Sequence, residues 1–361
     1  MKPMNISESK LWISDIDEVT DALPALSELS GKGVMITGCG GLICSAVVDV
    51  LIRWNETHDE KIKIYAAGRN REKVMKRFEP FTGRGWFEYV QYDATSEDNK
   101  LPDYCDYIIH GAGNASPNNI VKEPVETMLG NITGMKSLLE YARAGKAGRI
   151  LLISSSEVYG KKESDRPNKV DEYGSIDILD PRSSYSVGKC AAETLCVSYG
   201  DEYGVDSVII RPGHIYGPTA SETDNRVSSA WAYAVSRGED IVMKSDGSQI
   251  RSYCYCLDCA SAILTVLLKG EKSQAYNISN PESVISIKEM AELLAESAGV
   301  SLKMELPTDA EKKGFNPMKN SSLDATELES LGWKGQFDAG RGFAHTVEII
   351  KEIKGKENHY G

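Results

Sequence analysis

Val34-Met-Ile-Thr37-Gly38-Cys-Gly-Gly41-Leu42-Ile43-Cys44 is a short apolar run, a glycine turn and the opening of a helix. Apolar residues over 46–54 then recur at helical spacing, so the order is strand, turn, helix. A turn in that setting offers backbone N–H groups and a helix N-terminus to a pyrophosphate. In the Gly-x-x-Gly-x-x-Gly form, Gly38 makes the tight turn and Gly41 admits the phosphate, with Leu42 and Ile43 opening the helix beside it. The third glycine of that form, which serves helix packing, is replaced by Cys44.

Outward from this stretch, residues 62–67, 87–92, 107–111, 150–154 and 207–211 read as further strands. Helical patterns at 71–78, 124–144 and 183–203 fall between most of them. The alternation predicts an α/β fold, a Rossmann doubly wound parallel sheet over residues 33–212. Residues 1–32 read as an N-terminal helical extension, with Ser14 as the cap of a helix over 16–29. Beyond Pro212 the alternation weakens. Residues 213–353 read as a smaller C-terminal α/β substrate-binding region interleaved with the first, with helices at 227–237, 257–268, 287–298 and 343–353. Residues 354–361 form a polar tail.

A chain of 361 residues, 41% hydrophobic and 26% charged, can bury a large core. Its net charge of −12, with no basic block, argues against a nucleic-acid partner. No apolar stretch approaches the roughly 18 residues of a membrane span, and Met1-Lys-Pro-Met-Asn-Ile-Ser7 carries no apolar core of a signal peptide. No membrane partner and a cytoplasmic location are therefore expected. The eight cysteines suit that compartment as buried thiols. Cys254-Tyr-Cys256-Leu-Asp-Cys259 lacks a second ligand cluster, so no metal is expected.

Chemistry is carried by Tyr185-Ser-Val-Gly-Lys189, downstream of Ser154-Ser155-Ser156-Glu157-Val158-Tyr159-Gly160. Positions i and i+4 share a helix face, so the Lys189 ammonium is expected beneath the Tyr185 phenol, favouring a phenolate that serves as general base for an alcohol. Ser155 is expected to hydrogen-bond the reacting oxygen and Ser154 to support the strand end. A carboxylate at the end of the second strand would bond the ribose 2′-hydroxyl of NAD, yet the chain has Arg69-Asn70 there. Arg69 is placed to pair with a 2′-phosphate, which favours NADP. Asp93 and Ala94 are expected at the adenine. His110-Gly111-Ala112-Gly113 is expected to run under the pyrophosphate and nicotinamide ribose, with Asn131 and Pro212 completing the cofactor set.

Together these motifs resemble the extended short-chain dehydrogenase/reductases of the NAD-dependent epimerase/dehydratase family, which act on nucleotide sugars. The resemblance runs from about Val34 to Glu348. It also rests on Pro181-Arg182-Ser-Ser-Tyr185, Arg211-Pro212-Gly-His214-Ile-Tyr-Gly217-Pro218 and Asp246-Gly-Ser-Gln-Ile-Arg251-Ser-Tyr253. It implies that Tyr185 takes the sugar 4-hydroxyl proton as C4 is oxidised to a ketone by bound cofactor, with Lys189 and Ser155 assisting. Family resemblance favours NAD, whereas Arg69 favours NADP.

After the serine, 4,6-dehydratases carry Asp-Glu, 4-epimerases carry no acid and UDP-glucuronate decarboxylases carry Ser-Glu; here the pair is Ser156-Glu157. Arg182 and Arg251 also resemble the decarboxylases, where arginines hold the sugar carboxylate or the diphosphate. Asn114, Arg182, His214, Arg226 and Arg251 are the expected substrate residues. His214 stands where decarboxylases and dehydratases usually have asparagine. The alternatives left open are an NADPH-dependent reductase of a nucleotide-linked keto sugar and a catalytically idle nucleotide-binding regulator. A homodimer through a four-helix bundle of 124–144 and 183–203 is implied by resemblance alone.

Overall fold

The computed structural model describes residues 4–162, 164–305 and 318–355. The strand read first is β1, Gly33–Thr37, buried at all but its first residue, as a central parallel strand with both faces covered must be. After it come β2 (Lys63–Gly68), β3 (Phe87–Gln91), β4 (Cys105–His110), β5 (Ala147–Ile153) and β6 (Ser207–Pro212). Smaller strands follow: β7 (His214–Tyr216), β8 (Ile241–Met243), β9 (Ile250–Tyr255), β10 (Ala275–Ile278), β11 (Val284–Ser286) and β12 (Leu302–Met304). The main sheet has the order β10-β6-β5-β4-β1-β2-β3, and all its pairings are parallel.

Helices are α1 (Lys10–Asp21), α2 (Leu42–Thr57), α3 (Arg71–Arg77), α4 (Pro117–Lys122), α5 (Pro124–Arg143), α6 (Ser184–Tyr203), α7 (Val227–Ser236), α8 (Cys256–Lys269), α9 (Ile287–Ala298), α10 (Thr326–Ser330) and α11 (Ala339–Gly355). Alternation along β1 decides which helices cover which face. Val34 and Ile36 enter the core shared with α2 and α8, while Met35 packs with Met135 and Leu138 of α5 and with Ala192 and Cys196 of α6. The sheet is doubly wound, and its carboxyl edge, where β1, β4 and β5 end, is the place such folds bind ligands.

Three expectations are corrected. Ser14 caps nothing: α1 starts earlier, with the Ser9 side chain accepting from Trp12 N–H, because Trp12 belongs to the buried stripe with Ile16 and Val19. That helix does not reach residue 29, since Pro24 cannot continue it and opens a separate 3-10 turn, Pro24–Leu29. The sheet has a seventh strand, β10, only four residues long and too short to register as a periodic run. The tail expected from 354 onward lies outside the described residues from 356, and α11 runs to Gly355.

The N-terminal helix is strapped to the C-terminal one. Ser9 donates to Glu352 at 2.6 Å, Asp15 accepts from His345 and from Tyr255, and Glu18 pairs with Arg341. Among the described residues no helix is long and apolar enough to cross a membrane, and no group of His, Cys, Asp and Glu is arranged to hold a metal. All eight cysteines are free, with Cys190 alone not buried.

Candidate active site

Gly38 has φ 74°, and a Cβ there would lie 2.8 Å from the Gly111 backbone; only glycine allows this turn. Gly41 then caps α2 with no side chain over the helix end, leaving the first-turn N–H groups of Leu42 and Ile43 open to an anion. The Cys44 departure has a structural answer. Its Sγ occupies the space a Gly111 Cβ would need, 2.3 Å away, so the volume added at one position is taken from the other. Bare backbone, a helix N-terminus and no capping side chain suit a dinucleotide pyrophosphate.

Beneath the cradle, Thr37 Oγ accepts from the N–H of Gly111 and of Ala112 at 3.2 Å each and meets His110 Nδ1 at 2.8 Å. Burial, and next the Lys189 charge, push His110 down to about 3, so it is neutral. From sequence, Thr37 reads only as a strand end and His110 only as the start of the segment expected under the cofactor. The signal available was a Thr and a His ending adjacent central strands.

The rim is mixed. Arg69 is exposed at the end of β2, with no ion-pair partner among the described residues. Asn70 is spent as the cap of α3, accepting from Lys73 N–H. Asp93 accepts from the N–H and hydroxyl of Thr95, while Ala94 packs against Gly134. Asn131 is buried, donating to Thr127 O, with its amide oxygen facing Gly113. Pro212 is buried at the end of β6. Asn114 donates to Glu123.

Tyr185 stands in the first turn of α6. Burial first, then the Glu157 charge, push its phenol up to about 12; Ser155, as a hydrogen-bond partner, and the Arg226 and Arg182 charges oppose this. Ser155 also caps the turn Ser156–Tyr159, accepting from Glu157 N–H. Lys189 shares the face of Tyr185, with Nζ 5.9 Å from the ring centre, and donates to Ile153 O at 2.7 Å. Burial pushes it down to about 8, with Glu193 the leading charge holding it up. Arg226 and Arg182 thus add their charges near the phenol to the Lys189 ammonium over its ring.

Glu157 and Arg182, expected in separate tasks, are paired: Arg182 Nη1 and Nη2 donate to the two carboxylate oxygens at 3.0 and 2.9 Å. Arg226 is closed on Asp224. Arg251 is buried, gives Nη1 to the carbonyls of Ile250 and Met318, and has no carboxylate partner among the described residues. A buried guanidinium without a counter-ion is suited to an anionic ligand. His214 begins β7 beside it. The surrounding protein, then the Arg251 and Arg226 charges, push His214 down to about 4, although part of the residue stays open to solvent. Ser154 turns away, donating to buried Glu193 at 2.5 Å.

The glycine cradle and the Ser155–Tyr185 cluster thus flank the ends of β1, β4 and β5. A model of the NAD dependent epimerase/dehydratase family matches residues 34–279. The chain belongs to this family. It is 30% identical over 305 residues to UDP-glucuronic acid decarboxylase 5 of Arabidopsis thaliana, covering 84% of this chain and 85% of that protein. It is 29% identical over 339 residues to UDP-glucuronic acid decarboxylase 1 of Xenopus tropicalis, covering 92% and 76%. In fold it resembles the UDP-glucose 4-epimerase of Thermotoga maritima, with a TM-score of 0.73 at 22% identity over 89% of this chain and 99% of that one. Membership makes the chain an NAD-dependent enzyme of the nucleotide-sugar epimerase, dehydratase and decarboxylase type. Gly38, Gly41, Leu42, Ile43 and Gly111 to Gly113 would hold the dinucleotide.

Proposed function

We propose that the protein decarboxylates a nucleoside diphosphate-linked uronic acid of the UDP-glucuronate kind. The observation that carries this is the Glu157–Arg182 fork beside the Tyr185 phenol: an arginine fork matches a carboxylate, and in this reading it receives the carboxyl group of a sugar that reacts at Tyr185. Relatives named as UDP-glucuronic acid decarboxylases support the choice.

In this reading Tyr185, once its own phenol proton has been lost, takes the proton of the 4-hydroxyl while Ser155 donates to the same oxygen. The dinucleotide that Gly38, Gly41, Leu42, Ile43 and Gly111 to Gly113 would hold would supply reversible hydride acceptance for C4. Oxidation at C4 makes the sugar a β-keto acid, so the C5–carboxyl bond breaks with its electron pair delocalised onto the new carbonyl. Ser155 and Tyr185 steady the enolate oxygen. Arg182 orients the departing carboxylate, and Arg251 with Arg226 hold the diphosphate. Lys189, bonded to Ile153 O, keeps a cation under the reacting centre.

The test is to incubate the enzyme with NAD and UDP-glucuronate and weigh the product. A nucleotide sugar lighter by one carbon dioxide, with no net NADH, supports the reading; unchanged mass or loss of one water refutes it. The observation favouring a second reading is exposed Arg69. A reductase would release no cofactor on denaturation and bind NADPH far more tightly than NADH. We also propose a homodimer through α5 and α6. Val125 and Leu129 on α5 leave 61% and 50% of their surface exposed, with Val197 on α6 exposed as well; sedimentation of V125E/L129E as a monomer would bear this out, and an unchanged mass would refute it.

A further inference from the structure

Glu157 and Arg182 lie on the two short turns that flank the phenol, Ser156–Tyr159 and Pro181–Ser183. Asp180 caps the second turn by accepting from the Arg182 N–H at 2.9 Å, which fixes the backbone from which the guanidinium swings. Both charged ends remain open, at 38% and 40% side-chain exposure.

The groups facing this pair are few. Tyr185 feels Glu157, Arg182, Arg226 and Ser155, and Arg182 feels Glu157, Tyr185 and Asp180. Arg182 and Arg226, the guanidiniums that act on the phenol, are each paired with a carboxylate, whereas Lys189 beneath the ring is given to Ile153 O. With Arg251, unpaired with a carboxylate among the described residues, left for the diphosphate, a sugar carboxylate held by either of the two guanidiniums beside Tyr185 takes it from its present partner. Arg226 is the harder to detach: Asp224 accepts from its backbone N–H and from Nε, is also bonded by Ser229, and is only 10% exposed. The Arg182 fork has no such support and is solvent-open at both partners.

A carboxylate that accepts both arms of a guanidinium is an acceptor only and carries no proton. Once displaced, Glu157 would face the incoming carboxylate without its counter-ion, and like charges sharing a site favour protonation of one of them. We propose that the substrate carboxylate displaces Glu157 from Arg182 and that Glu157 takes up a proton from solvent in exchange, becoming the acid that protonates C5. The proposal rests on the decarboxylase reading. Its balance closes: the C5–carboxyl bond breaks, carbon dioxide leaves, and the enolate takes the Glu157 proton at C5. The regenerated Glu157 carboxylate then returns to Arg182, vacated by the lost carboxyl group. One proton enters and one carbon dioxide leaves per turnover. A neutral sugar offers nothing to exchange and leaves the pair closed, so the same pair discriminates among substrates.

Calorimetry tests this on enzyme saturated with NADH, which cannot oxidise the sugar. UDP-glucuronate binding is measured at neutral pH in buffers of different ionisation enthalpy, with UDP-xylose as the uncharged counterpart. Expected is uptake of about one proton per UDP-glucuronate bound, none with UDP-xylose, and none with either ligand in E157Q. UDP-glucuronate that binds and is decarboxylated by the NAD-loaded enzyme, yet binds with the same proton count as UDP-xylose, overturns the exchange and leaves the functional reading intact. Uptake that persists in E157Q also overturns it. UDP-glucuronate that neither binds nor reacts overturns the functional reading, and the exchange with it.

Discussion

Replacing Glu193 by Gln tests the buried frame on which the site stands. Glu193 lies one turn beyond Lys189 and is 8% exposed; it accepts from Ser154 at 2.5 Å and from Arg211 Nε and Nη2 at 3.0 and 2.7 Å. Arg211, 3% exposed, gives Nη1 to the Tyr159 hydroxyl and to Val170 O. The frame ties α6, the end of β6 and the turn after Ser155. E193Q keeps the shape but leaves a buried guanidinium without its counter-charge, at a cost of about 3–5 kcal/mol. R211M, which leaves the carboxylate unpaired, should cost a similar amount. The double variant removes both charges and should cost less than the sum of the single changes, with a coupling of about 2–3 kcal/mol. Urea unfolding followed by circular dichroism and fluorescence measures this, provided that the two transitions coincide. Turnover of the folded protein should fall in both single variants, because Ser154 adjoins Ser155. Single costs under about 1 kcal/mol that simply add in the double variant would refute the reasoning.

Y185F should lower turnover roughly 10²–10⁴-fold while NAD binding and the melting temperature are retained; full activity would remove Tyr185 from the chemistry. G111A should drive a Cβ into Cys44 Sγ, 2.3 Å away, costing about 1–3 kcal/mol and weakening NAD binding, and C44G should restore both, as read by unfolding and by cofactor titration. His110 and Asp258 should oppose one another in acid. The folded pKa of His110, about 3, lies below its unfolded value, so its stabilisation is complete above the unfolded pKa and is lost as pH falls toward 3. Burial pushes Asp258 up to about 7, so its stabilisation is complete below the unfolded pKa and is lost as pH rises toward 7. Each slope reaches about 1.4 kcal/mol per pH unit at most. D258N should therefore make stability rise more steeply with pH between the unfolded Asp and His values; an unchanged profile would contradict the assignment.

The fold was legible because β1, the glycine turn and α2 each carry a local signal, and because the long buried strands repeat it. Elements without periodicity were not legible: β10 is four residues long, and the start of α1 is decided by the packing of Trp12 against the core and its bond to Asp49. At the site, sequence spacing brought Tyr185, Lys189, Ser155 and Glu157 to attention. It could not show which partner each would choose. Lys189 turns to a carbonyl of β5, Asn70 to a helix end, and Arg182 to Glu157, and each choice depends on atoms distant in the chain. Cys44 read only as a departure from the glycine pattern because its compensation, Gly111, lies after another strand, β4.

The most direct test of the central claim, oxidation and restoration at C4 around a decarboxylation, uses UDP-glucuronate carrying deuterium at C4. The account predicts a product lighter by one carbon dioxide that keeps its deuterium at C4, formed without accumulation of reduced cofactor. A decarboxylated product that has exchanged the deuterium with solvent, or a product that keeps its carboxyl group, would contradict it.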